Sequence, residues 1–153
     1  MTLIRPTFFY KTLAGNHNSI GITDGTYSQS QKNKLIDGNK DFQFVTLTYD
    51  NPVSIYFVRD DLQNFVTTEI YYLILQNTNL RDFLIKDGDG TTLTTKVDAT
   101  AKDFIVEITP EADTDILQID MQESSDGSNY KIGQMYICKK IFSMAENYND
   151  EIF

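Results

Sequence analysis

The feature that most constrains this chain is the spacing of its apolar residues, which fall in short runs of period two between clusters of turn residues. Val53, Ile55 and Phe57 alternate with Ser54 and Tyr56, directly after the turn signal Asp50-Asn51-Pro52. Phe104, Val106 and Ile108 alternate with Ile105 and Glu107, and Leu117, Ile119 and Met121 with Gln118, Asp120 and Gln122. Successive side chains of a strand point to opposite faces, so such runs read as strands with one face on a core. Ile70-Tyr71-Tyr72-Leu73-Ile74-Leu75 is an unbroken apolar run whose length favours a central strand covered on both faces over the competing reading, a buried helical segment.

Phe83 to Lys86 and Thr91 to Val97 flank Asp87-Gly88-Asp89-Gly90, a sequence suited to the positive φ angles of a tight hairpin. Phe42 to Tyr49 and Tyr130 to Ile141 add two more strands, the second with Gly133 as a bulge, and Ser124 to Asn129 is a turn cluster. About eight strands at short intervals, with no amphipathic helix, predict an all-β fold, a single antiparallel β-sandwich or barrel.

With 153 residues, the chain fits one domain. Hydrophobic residues make up 41%, enough to form a core and too many for disorder. Residues 1–33 hold the apolar patch Thr7 to Tyr10 and then become polar. They read as an extended N-terminal arm carrying the first short strands, before a sandwich over residues 34–142. The acidic C-terminal tail, residues 143–153, reads either as a frayed end or as an arm that docks on a neighbour.

Charge and side-chain chemistry then exclude whole classes of function. A net charge of −9 leaves no basic footprint for a nucleic acid. No run approaches the roughly 18–20 apolar residues of a membrane helix, and the N-terminus shows no signal peptide, so synthesis in the cytoplasm is expected. The chain has one histidine, His17, in a polar stretch, and one cysteine, Cys138, in a strand, so neither a nucleophile–histidine pair nor a zinc ligand set is expected. The Asp87 segment fails the calcium-loop pattern, because Thr91 and Thr92 occupy its fifth and sixth positions. No phosphate-cradling glycine motif occurs, so no cofactor is expected. An acid/base pair among the 22 acidic residues is not nominated by any spacing. Sugar binding needs exposed aromatics beside amides or carboxylates, and Tyr27, Tyr49 and Tyr130 lie near such groups. The same tyrosines also fit the role of closing a sandwich edge.

Leu35-Ile36-Asp37-Gly38-Asn39, Pro52 to Phe57, Glu69 to Leu75, Asn77-Thr78-Asn79-Leu80 and Tyr130 to Ile137 occur in an order that resembles discoidin-like, galactose-binding-like jelly-roll domains. The order is most similar to the version found in tailed-phage and prophage virion proteins. The tryptophan usual after the Asp-Gly-Asn turn is missing, with Phe42 or Phe44 in its place. The resemblance implies a jelly-roll sandwich over about Lys34 to Ile141. It also implies a non-catalytic virion subunit of tail, neck or fibre, partnered with itself in a symmetric homo-oligomer and with other virion proteins. Phe8, Phe9 and Tyr10 would then anchor the N-terminal arm on a neighbour, with Ile152 and Phe153 doing the same at the C-terminus. The alternative is a carbohydrate-binding module with Tyr27, Tyr49 or Tyr130 on the sugar. A third reading is an enzyme using an unrecognised carboxylate pair.

Overall fold

The computed structural model describes residues 7–9 and 12–143. In chain order the elements are β1 (Thr7–Phe9), a 3-10 turn (His17–Ser19), β2 (Ile20–Ile22), α1 (Gln29–Asn33), β3 (Phe44–Val45), β4 (Val53–Val58), β5 (Tyr71–Gln76), β6 (Leu80–Asp87), β7 (Thr92–Lys96), β8 (Phe104–Ile108), β9 (Ile116–Ser124), β10 (Lys131–Ile132) and β11 (Gln134–Ser143). A four-stranded sheet runs β1-β11-β5-β8 and a five-stranded sheet β2-β4-β9-β6-β7, with β10 and β3 as a small third sheet. Every described strand pair is antiparallel. Among the described residues no helix is long and apolar enough to cross a membrane.

The period-two runs set the core. Val53, Ile55 and Phe57 of β4 lie opposite Met121, Ile119 and Leu117 of β9, and Ile119 also lies opposite Ile85 of β6. From the other sheet Leu73 of β5 lies between Ile137 of β11 and Val106 of β8. All these side chains are buried. Burying each contributes roughly 1.5–3 kcal/mol, so the paired inner faces hold the two sheets together. Strand β5 is interior, as its unbroken apolar run predicts, with Tyr71, Leu73 and Leu75 buried and Ile74 half-buried. At one end of the sandwich the Phe65 ring packs edge-on against Tyr71 and lies under the Arg59 guanidinium.

Three expectations need correction. The strand expected over Phe42 to Tyr49 pairs only at Phe44–Val45, because side chains capture the next amides: Leu47 N–H donates to Tyr27 Oη (2.7 Å) and Thr48 N–H to Asp24 Oδ2 (2.8 Å). The strand expected over Tyr130 to Ile141 is broken at Gly133, which is a change of sheet: β10 pairs with β3, and β11 with β5. Residues 12–33, expected as part of an extended arm, enter the core through Ala14, Ile20 and Tyr27 and supply the edge strand β2. They also supply a helix that the sequence reading lacked. Ser28 and Gln31 form a reciprocal capping box that starts α1, a pattern visible as Ser28-Gln29-Ser30-Gln31. The Asp87 segment is a hairpin turn, with Asp87 Oδ1 accepting from the amides of Asp89 and Thr91 (both 3.0 Å).

Gly133 N–H donates to both Gln76 O (2.9 Å) and Asn77 O (3.1 Å). A Cβ there would stand 2.1 Å from Lys40 O and 2.9 Å from Gln76 O. Neither oxygen can move without its backbone. Gly133→Ala is therefore expected to destabilise the fold by about 2–3 kcal/mol, measured by urea denaturation. An unchanged midpoint would show that the crossing has slack.

Loops converge beside this crossing. Asn79 Nδ2 donates to Asp126 Oδ1 (3.0 Å) and Asn129 O (2.9 Å), and its Oδ1 accepts from Lys131 N–H (2.7 Å). Hydrogen bonds from Ser128, with Asn79 adding another, hold the Asp126 carboxyl down to about 2, against about 3.9 in an unfolded chain. A depressed folded-state pKa stabilises above the unfolded value and loses that contribution as pH falls toward the folded one. The stability gap between the native chain and Asp126→Asn should thus be full at about pH 6, shrink below about pH 4 and vanish near about pH 2. A gap constant across that range, in denaturation midpoints, would contradict the assignment.

Candidate functional site, a concavity beside Phe42

The segment between α1 and β3 is pinned at both ends and projects between them. Leu35 is buried and its carbonyl accepts from Met135 N–H (2.8 Å), while Phe44 is buried against the Tyr27 ring, with centroids 5.1 Å apart. Between these anchors Asp37-Gly38-Asn39 builds consecutive turns. Asp37 Oδ1 accepts from Asn39 N–H (2.8 Å), Asn39 Oδ1 from Asp41 N–H (3.2 Å), and Asn39 O from Phe42 N–H (3.2 Å). Gly38 adopts φ +80°, which an L side chain would resist, and its N–H donates to Gln134 Oε1 (2.8 Å). These turns push Phe42 outward, leaving it 64% exposed. Of the two phenylalanines expected to replace the missing tryptophan, Phe44 is in the core and Phe42 is on the surface.

Phe42 walls a concavity of about 600 Å³. α1 and its flanks contribute Ser28, Gln29, Ser30, Asn33 and Lys34, and Asp37 completes the lining. Positions 29, 30 and 33 share a helix face because residues three and four apart are neighbours there. The lining offers two amides that both donate and accept, one ammonium, one carboxylate and an apolar ring face. Sites for small ligands combine an apolar surface with a few such polar groups.

The three tyrosines expected at a sugar site all serve another purpose, which is to fasten residues 46–50. Tyr27 is 7% exposed, and its hydroxyl donates to Asp24 Oδ1 (2.6 Å) and accepts from Leu47 N–H. Burial, with the Asp24 carboxylate beside it, raises its pKa. Tyr130 is fully buried and donates to Asp50 O (3.0 Å), and burial raises its pKa also. Tyr49 packs on Tyr130 at 5.1 Å and its hydroxyl accepts from Ser124 N–H (3.1 Å). Only Tyr49, 38% exposed, keeps ring surface open to a ligand. The expected role of Tyr27 and Tyr130 as sugar contacts is thus corrected: their rings are enclosed and their hydroxyls are committed. Phe42 was the available aromatic, and the sequence signal for it was its place just after the Asp-Gly-Asn turn.

The remaining sequence candidates are spread out. His17 is half-buried in the 3-10 turn, away from any cluster that would hold a metal, and among the described residues no group of three His, Cys, Asp or Glu side chains could do so. Cys138 is buried, its thiol lies 3.8 Å from Tyr72 O, and burial pushes its pKa up to about 11. Phe8 and Phe9 belong to β1, which pairs with β11, but their side chains lie outside the described residues, as do Tyr10, Ile152 and Phe153.

No protein-family model matches the chain, and no curated protein matches it. Its structure is similar to solved carbohydrate-binding modules. The family 32 carbohydrate-binding module from Streptococcus pneumoniae EndoD matches at TM-score 0.58 and 12% identity, over 86% of this chain and 100% of that one. Chitosan-binding module 2 of a chitosanase/glucanase from Paenibacillus sp. IK-5, in complex with chitotriose, matches at 0.57 and 13%, over 80% and 97%. The family 32 module from C. perfringens NanJ, in complex with galactose, matches at 0.54 and 13%, over 85% and 100%. The fold is therefore the galactose-binding-like jelly-roll sandwich that the motif order implied.

Tyr130→Phe should cost about 1 kcal/mol, because the Asp50 carbonyl loses the hydroxyl that donates to it. Amide exchange at residues 46–50 should rise with it, by hydrogen-exchange mass spectrometry. Unchanged exchange would remove the tyrosine from its fastening role.

Proposed function

We propose that this domain is a carbohydrate-binding module that acts by docking a glycan ring against Phe42, without catalysis of its own. The observation that carries the proposal is that the exposed Phe42 and the amide residues Gln29 and Asn33 line one concavity. A pyranose presents an apolar C–H face and a rim of hydroxyls. The ring takes the first, and planar amides, each both donor and acceptor, take the second. The solved modules of like fold support the reading, since two of them hold chitotriose and galactose. They lend no support to a virion subunit, the assembly expected from the motif order.

The test is calorimetric titration with chitotriose and galactose, backed by a glycan array, on the native chain and on Phe42→Ala. Phe42 is outside the core, so the variant should fold normally by thermal melting. Its affinity should fall at least about tenfold, the loss expected when an aromatic anchor is truncated. Equal affinity in the variant would overturn the role of Phe42, and a native chain binding no glycan at millimolar concentration would overturn the function.

A further inference from the structure

Phe42 walls the first concavity, and its chain neighbour Gln43 walls a second, of about 460 Å³. The second is made by three loops that the fold brings together after β5, after β7 and after β9. Its walls are held by backbone and amide bonds. Gln43 Nε2 donates to Asn77 O (2.8 Å), Asn77 Nδ2 to Lys40 O (2.8 Å), Thr78 N–H to Lys102 O (2.9 Å) and Ser125 N–H to Asn79 O (2.8 Å). Asn77 adopts φ +53°, a left-handed turn conformation that asparagine tolerates. The space between the walls is kept open by small side chains, Ala99, Thr100, Ala101 and Ser125.

The chemistry of this lining differs from that beside Phe42. Among the described residues no aromatic ring lines it, so none of them suits the apolar face of a sugar. Its charged groups are Lys102, Lys131 and Asp126, two cations against one anion, in a chain of net charge −9. The anion is largely committed: Asp126 Oδ1 accepts from Asn79 Nδ2, Ser128 N–H (3.1 Å) and Ser128 Oγ (2.7 Å). Lys131 Nζ lies 3.9 Å from Asp126 Oδ2 with both side chains partly exposed, a contact weak enough to be exchanged for a ligand. Lys102 is exposed and shows no ion pair among the described residues.

We infer that the second concavity is an anion subsite: Lys102 and Lys131 receive a carboxylate or sulfate group of a glycan whose ring rests on Phe42. The inference rests on the carbohydrate-binding reading and names the class of glycan, an acidic one. Phe42 and Gln43 are adjacent in the chain and line one concavity each, so a glycan whose ring rests on Phe42 is to extend its charged substituent or neighbouring residue past Gln43 into the second.

The probes are N-acetylated chitotriose, which carries no charge, and a galactose trisaccharide, each compared with its uronate and its 6-O-sulfated counterpart, titrated into the native chain and into a Lys102→Gln, Lys131→Gln double variant. The acidic forms should bind the native chain at least about tenfold more tightly than the neutral form at about 0.05 M salt, and the gain should disappear near about 1 M salt. The double variant should lose the gain and keep the neutral affinity. Whichever of uronate and sulfate shows the gain identifies the group recognised. Single Lys102→Gln, on an exposed loop side chain, should remove part of the gain and serves if the double variant melts early. Acidic forms binding no more tightly than neutral ones, or a gain that survives both substitutions, overturns the inference while leaving Phe42-dependent binding intact. Absence of binding by every probe overturns the inference together with the function it rests on.

Discussion

One amide shared between two carbonyls organises this molecule. Gly133 N–H reaches Gln76 O and Asn77 O at the point where the chain leaves β10 and enters β11. On one side of that point the chain pairs with β3 and so positions the Phe42 segment. On the other it pairs with β5 and inserts Met135 and Ile137 into the core. The close passage of the Lys40 carbonyl excludes any side chain at position 133. Core register and loop position are therefore set by a single contact, and neither can shift without the other.

Around that contact the fold spends its polar groups on loops. Asn79 and Asp126 tie the β9–β10 loop to the β5–β6 turn, and Tyr27, Tyr49 and Tyr130 tie residues 46–50 from both sides. An irregular segment has no ladder to satisfy its amides, so side chains must do so, and here they are Asp24, Tyr27 and Thr46. The result is a loop surface stiff enough to be pre-organised. A binding surface held in its bound shape loses less conformational freedom when a ligand arrives.

The strands were legible because burial on one face leaves a period-two record in the apolar residues, carried cleanly by β8 and, with Ser54 and Asp120 buried on the alternate face, by β4 and β9. Phe42 to Tyr49 was misleading for the same reason. Its apolar residues are strand-like, yet Val45, Leu47 and Tyr49 point outward while Thr46 is buried. Alternation reports two faces without saying which is the inner one when both are apolar or hydroxylated. The site was less legible still. Whether a tyrosine binds a ligand or fastens a loop depends on partners 20 to 80 residues away, as with Tyr27 and Leu47 or Tyr130 and Asp50. Helix α1 was written in the capping box, but five residues carry too little periodicity to show as a helix.

The enclosed thiol of Cys138 has a practical meaning. With a pKa near 11, only roughly one molecule in ten thousand carries the reactive thiolate at neutral pH, and the sulfur is walled off besides. The chain has no other cysteine. A cysteine introduced on the rim of either concavity would thus be the one site open to a maleimide dye, and the native background would stay dark. Fluorescence at a chosen loop position could then be followed in the otherwise unaltered protein.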